Sequence, residues 1–159
     1  MQIHILRHGI AEDAKPGSPD ADRALTPEGR KKLREVLKLA RGANVRPSLI
    51  LTSPYRRAVE TAEIARSVLD GKAEIVDSAA LQPSADPRDV WEEIRIHKDE
   101  NEVLLVSHEP LTSRLTGFLL NAPNLNVDFK KGALLRLDVD EFGAVPRGVL
   151  KWMVTAKLV

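Results

Sequence analysis

Hydrophobic residues in this chain come in short clusters that alternate between strand length and helical spacing. The first covers residues 3–6 (Ile3, His4, Ile5, Leu6), a brief apolar run with a β-branched start that predicts a strand. Residues 12–23 are polar and rich in Pro, Gly, Ser and Asp, and they predict a loop. Thr26, Pro27 and Glu28 then read as a helix start, with Thr as N-cap, Pro at the first helical position and Glu in the first turn. Leu33, Val36, Leu37 and Ala40 follow at helical spacing, and Gly42 is the expected stop. Leu49, Ile50 and Leu51 predict a second strand. Ser53 and Pro54 are expected to open a second helix that buries Ala58, Ala62, Ile64, Ala65, Val68 and Leu69.

The alternation continues. Residues 73–76 predict a third strand, followed by a loop through Pro83 and Pro87 and a helix over 89–97. Val103, Leu104, Leu105 and Val106 form the strongest buried-strand candidate, with a helix expected over 110–120 and a loop over 121–131. Residues 133–139 and 149–158, separated by a turn near Gly143, predict an antiparallel pair. Strands alternating with helices imply an α/β protein: a mostly parallel, doubly wound sheet flanked by helices, with a C-terminal antiparallel hairpin. No repeat, low-complexity tract or linker interrupts the pattern, so a single domain over 1–159 is expected.

Composition narrows the function classes. With 24 basic and 23 acidic residues the formal net charge is +1, and aromatic residues are 4% of the chain. Neither a long-range field nor many stacking platforms are offered to nucleic acid, and no nucleic-acid partner is expected. The longest apolar runs are too short to span a bilayer, so no membrane partner is expected either. The opening residues lack the basic start and apolar core of a signal peptide, so a cytoplasmic location is expected. There is no cysteine, which excludes disulfides, thiolate metal sites and a cysteine nucleophile. His4 and His8 are four apart, as in a helical zinc pair, but a strand removes the meaning of that spacing. His4 is read as structural, and with four histidines in all no metal is expected. Lys130 and Lys131 read as a solvated face.

The residues suited to chemistry sit directly behind predicted strands. Arg7, His8 and Gly9 follow the first, Ser53, Pro54, Tyr55, Arg56 and Arg57 the second, and Ser107 and His108 the strand at 103–106. In open α/β sheets the ligand crevice lies at the carboxyl ends of the strands, so these groups are expected to meet there. Such a set suits phosphoryl transfer. Arginine presents a planar, permanently charged fork that matches phosphate oxygens. Two arginines and a protonated histidine can neutralise charge on the transferred group, while a second, neutral histidine attacks phosphorus. Gly9, with no Cβ, would let backbone approach the phosphate. Cationic side chains then fill the role of a metal, and no cofactor is expected.

The stretches "LRHG" (6–9), "SPYRRAVETA" (53–62) and "SHEP" (107–110), in this order, resemble the histidine phosphatase superfamily, also called phosphoglycerate mutase-like. The short length, "DRALTPEGRKKL" and "VSHEP" most resemble its small phosphohistidine phosphatases of the SixA type. The resemblance implies that His8 becomes phosphorylated, that Arg7 and Arg57 clamp the phosphate, and that His108 is the second phosphate-binding histidine. Arg57 is preferred over Arg56 because the family's arginine directly precedes the alanine of "RAxxT". Arg23 matches a recurring arginine of the small members and is a candidate for substrate binding. Other branches carry a glutamate after the third strand that protonates the leaving group; here that region reads Asp77, Ser78, Ala79, Ala80, Leu81. Asp13, Asp77, Asp86 and Glu109 remain as candidate acids.

A departing imidazole can carry its own proton near neutral pH, unlike an alkoxide, so it needs less help from an acid. The expected substrate is therefore a phosphohistidine on a phosphorelay or phosphotransfer protein, acted on by a monomer. The alternatives are a small-molecule phosphomonoesterase of the sugar-phosphate type and a non-catalytic phosphoprotein-binding module.

Overall fold

Ile3 and Ile5 point to one face of the first strand and Leu6 to the other, and both faces are fully buried. A central strand with two dry faces needs helices on both, and the computed structural model, which describes residues 1–159, has them. Strand β1 (Gln2–Arg7) is followed by α1 (Pro27–Gly42), β2 (Leu49–Thr52), α2 (Arg56–Leu69), β3 (Glu74–Asp77) and α3 (Pro87–Ile96). Then come β4 (Glu102–Ser107), α4 (Leu111–Leu119), β5 (Leu134–Asp138) and β6 (Val149–Val154).

The six strands form one sheet in the order β3-β2-β4-β1-β5-β6. The first four are mutually parallel, while β5 runs antiparallel to β1, and β6 to β5. Helices α1 and α2 close one face over Leu6, Ile50, Leu104 and Val106. On the other face, α3 and α4 bury Trp91, Ile94, Leu111 and Leu115 against Ile3, Leu51, Val103 and Leu105. Each such fully buried aliphatic side chain contributes roughly 1.5–3 kcal/mol, so packing on both faces holds the sheet centre together. His4 belongs to that centre: it is 0% exposed, its Nε2 lies 2.9 Å from Glu102 Oε1 off the axis of a hydrogen bond, and its ring is 5.8 Å from Trp152.

The order places β2, β4 and β1 side by side, and these are the strands that carry the three motifs. Their register aligns Arg7 with Ser107 and Thr52 with Val106, so all three chains leave the sheet at one level. The expected class and the C-terminal hairpin are as the sequence predicts, but several ends differ. Helix α2 starts at Arg56, not at Ser53, because Ser53, Pro54 and Tyr55 form an extended turn in which Tyr55 is the N-cap. Gly42 stays inside α1, and the left-handed residue beyond it is Asn44, φ 62°. The last strand ends at Val154, and Ala156–Leu158 form a 3-10 turn.

Candidate active site

His8 leaves the end of β1 and is 5% exposed. Its Nδ1 lies 2.7 Å from the Gly9 carbonyl, and its Nε2 lies 3.3 Å from Arg57 Nε. A carbonyl can only accept and an arginine N–H can only donate. Both contacts therefore require the same tautomer, with hydrogen on Nδ1 and a lone pair on Nε2. Burial, together with the charges of Arg57, Arg7 and Lys131, pushes the ring from its ordinary 6.5 down to about 3, against the opposing Gly9 hydrogen bond. His8 is thus a neutral imidazole with its lone pair beside a guanidinium.

The partners come from the neighbouring strand ends. Arg57, in the first turn of α2, is 4% exposed. Its NH1 donates to the Asp20 carbonyl at 2.9 Å and its NH2 to Asp20 Oδ2 at 3.0 Å, and its Cζ lies 5.0 Å from the Tyr55 ring centroid. Arg7 donates through NH1 to the Phe129 carbonyl at 2.7 Å, while its Nε is buried without a partner. His108 follows β4, is 1% exposed, and its ring centroid is 5.0 Å from that of His8. Its Nε2 meets Ser53 Oγ at 2.7 Å, and its Nδ1 is buried without a partner. Burial, with His8, Arg57 and Arg7 nearby and Asp20 opposing, pushes His108 down to about 3. The sequence reading expects a protonated ring there. Among these cations it is neutral instead, and a phosphoryl dianion placed between them would raise it again.

Gly9 and Arg23 both make contacts within the protein. The Gly9 N–H donates to Thr61 Oγ1 at 3.2 Å, and Thr61 Oγ1 donates to the Arg57 carbonyl at 2.7 Å. A Cβ at Gly9 would stand 3.3 Å from Leu25 Cδ2 and 3.4 Å from the Gly29 carbonyl, so its small size serves the seating of α1. Gly29 is tighter still, since a Cβ there would lie 2.2 Å from the Ile10 carbonyl. Arg23 stands one layer out. It donates from Nε to Asp20 Oδ1 at 2.8 Å and from NH1 to the Glu12 carbonyl at 3.0 Å, so it holds Asp20, which holds Arg57.

Asp20 is the carboxylate that the sequence reading missed. Burial disfavours its ionisation, but hydrogen bonds from Arg23 and Arg57 outweigh that and hold its carboxyl below the usual range. None of the four expected carboxylates hydrogen-bonds the two histidines, Arg7 or Arg57. Asp86 caps α3 and pairs with Arg88, Glu109 is held by Thr112 and Ser113, and Asp13 and Asp77 are exposed. Lys131 is exposed, as its reading as a solvated face expects.

Arg56 turns away from this cluster. Its Nε lies 3.2 Å from Glu60 Oε1, and Glu60 also accepts the Leu25 N–H at 2.7 Å and pairs with Arg30. Arg56→Ala is expected to leave kcat/KM within about threefold of wild type, because an exposed i,i+4 pair is worth only a few tenths of a kcal/mol. Steady-state rates check this. A loss comparable to that of Arg57→Ala would place the wrong arginine in the site.

The model of the histidine phosphatase superfamily (branch 1) matches residues 3–82, which include Arg7, His8 and Arg57. The chain belongs to the histidine phosphatase superfamily. Within it, phosphohistidine phosphatase SixA of Escherichia coli is 29% identical over 159 residues, covering 98% of this chain and 94% of that protein. An uncharacterized protein of Picosynechococcus sp. is 32% identical over 111 residues, 69% of this chain and 67% of the other. The structure of the protein histidine phosphatase SixA complexed with tungstate superposes with a TM-score of 0.89 at 27% identity and covers 99% of both chains. No helix of this superfamily member is long and apolar enough to cross a membrane.

The two depressed histidines couple the site to stability. Below about pH 6.5 the unfolded chain binds protons that the folded rings refuse, so stability is full above that pH and is lost as pH falls toward about 3. Denaturant midpoints measured from about pH 7 down to about pH 4 are expected to fall, and less steeply in His8→Gln than in wild type. Equal slopes would show that His8 is not held neutral by the fold.

Proposed function

We propose that this protein is a cofactor-independent phosphohistidine phosphatase, formed by one domain over 1–159, that dephosphorylates a partner protein through a covalent phospho-His8 intermediate. The observation that carries the reading is the His8 tautomer, with Nδ1–H on the Gly9 carbonyl and the Nε2 lone pair beside Arg57. In the first step Nε2 attacks phosphorus in line, the P–N bond to the substrate imidazole breaks, and its electron pair stays with the departing ring. As Nε2 bonds phosphorus, positive charge develops on the His8 ring and strengthens the Nδ1–H bond to Gly9, an interaction worth more in the transition state than before it. Arg7, Arg57 and the Nδ1 side of His108 hold the phosphoryl oxygens. Water then attacks phosphorus, the bond to Nε2 breaks, and neutral His8 is restored. Asp20 holds the guanidinium of Arg57 beside Nε2 while this happens.

Two features support a phosphohistidine on a protein over a small phosphomonoester. The positions after β3 are Ala79 and Ala80 in a 3-10 turn, and no acidic group stands there for an alkoxide leaving group. The chain between β3 and β4 is taken up by that turn and by α3, which packs against α4. A segment this short leaves little chain for a lid, which favours a substrate carried on another protein. The similarity to SixA of E. coli supports the same substrate class.

Rates on a phosphohistidine-bearing phosphotransfer protein, a phosphoserine peptide and a sugar phosphate, with His8→Ala as the blank, test this. The phosphohistidine protein is expected to be hydrolysed fastest. Faster release from the sugar phosphate would assign the small-molecule class. Release no greater than the blank on all three would assign a phosphoprotein-binding module.

A further inference from the structure

His108 poses a problem that the proposed reaction does not solve by itself: a buried neutral ring must present a hydrogen, not a lone pair, to an anion. Its Nε2 is 2.7 Å from Ser53 Oγ, and its Nδ1 has no partner in the protein. Ser53 is itself 0% exposed, and its oxygen accepts the Tyr55 backbone N–H at 3.3 Å. His108 Nε2 is the one other group within hydrogen-bond distance of that oxygen, so the hydroxyl hydrogen finds an acceptor only there. A ring that accepts at Nε2 carries its own hydrogen at Nδ1. The Tyr55 ring, edge-on at 63° with its centroid 5.0 Å from that of His108, fixes the plane in which this happens.

We infer that Ser53 is a positioning residue: its hydroxyl sets His108 as an Nδ1–H donor toward the transferred phosphoryl group, and accepts the Nε2–H bond when that group charges the ring. The inference rests on the reading in which His108 holds the phosphoryl group. The hydroxyl suits both states because it can donate to the neutral ring and accept from the imidazolium. The second bond is charge-assisted and roughly twice as strong as a neutral one, so Ser53 favours the charged ring. The charged and titratable groups facing His108 are His8 and Arg7 from the end of β1, Arg57 from α2 and Asp20 from the loop before α1. The cations among them oppose protonation. Ser53 and the phosphoryl dianion favour it.

Ser53→Ala removes the hydroxyl without adding volume, and Ser53→Thr keeps it. On the phosphohistidine protein, Ser53→Ala is expected to lower kcat on the order of tenfold to a hundredfold, as leaving a buried ring nitrogen unpaired implies, with KM little changed. The basic limb of the kcat profile is expected to move to lower pH, since activity of a charged ring is lost as pH rises through its pKa and that pKa has fallen. Ser53→Thr is expected to restore both rate and profile. Ring-nitrogen NMR of the wild type without ligand, and again with inorganic tungstate, reads the tautomer directly. Hydrogen on Nδ1 of the free ring and on both nitrogens in the tungstate complex is expected. A free ring protonated at Nε2, or a Ser53→Ala enzyme with an unshifted basic limb, would overturn the role of Ser53. Wild-type protein inert toward phosphohistidine would instead overturn the proposed reaction, while the NMR result still decides the tautomer.

Discussion

His8→Ala is expected to reduce phosphohistidine hydrolysis by on the order of 10⁴-fold or more, because no other side chain offers a lone pair at the position of Nε2. The remaining Arg7, Arg57 and His108 would still gather an anion, so binding of tungstate should survive. Circular dichroism and the denaturant midpoint at neutral pH are expected to show a folded protein, since His8 lies beyond the two apolar clusters that close the sheet. Substantial turnover by this variant would remove the nucleophile from the account.

Arg57→Ala and Arg7→Ala should be the next most damaging changes, by different routes. Arg57 links three groups at once: His8 Nε2, the Asp20 carbonyl and the Asp20 carboxylate. Removing it loses a charge-assisted donor to the transferred group and frees the Asp20 loop. A loss of about 3–4 kcal/mol in the barrier, or a hundred- to a thousandfold in kcat/KM, is expected. Arg7 is anchored by one bond to Phe129, and its buried Nε is without a partner. Arg7→Ala is expected to cost a similar factor with less effect on loop mobility. Lysine should not rescue Arg57, because a point charge cannot meet His8 and Asp20 in one plane. Kinetics of the two alanine variants and of Arg57→Lys check these expectations, and a fully active Arg57→Lys would contradict the fork.

The parts of this site that were legible in the sequence lie where chain direction alone decides position. Arg7, His8, Ser107 and His108 end apolar runs that could only be central strands, and the carboxyl-end rule brings strand ends together. Arg57 could be told from Arg56 only through the family's "RAxxT" pattern. The physical reason is visible in the fold, where Arg56 is captured by Glu60 one turn on. Asp20 was not legible, because it sits in a polar loop without periodicity and meets its partner 37 residues away. Ser53 precedes the helix that the pattern starts with it, since "SP" before an apolar periodic run is also how helices begin. In the extended turn of residues 53–55 the Ser53 hydroxyl meets His108, 55 residues away, a contact that no local pattern contains. The packing of Gly9 was not legible either, since the space a Cβ would take there is bounded by Leu25 and Gly29, which lie 16 and 20 residues on.

Isolating the phosphorylated enzyme tests the central claim most directly. Wild-type protein would be mixed with a phosphohistidine-bearing protein, quenched in alkali within the first turnover, and its peptides mapped by mass spectrometry. An acid-labile, alkali-stable phosphate on the His8 peptide, attached at Nε2 and decaying at the turnover rate, is expected; His8→Ala should show none. Steady turnover with no phosphate on the enzyme, or with phosphate on a residue other than His8, would contradict the account.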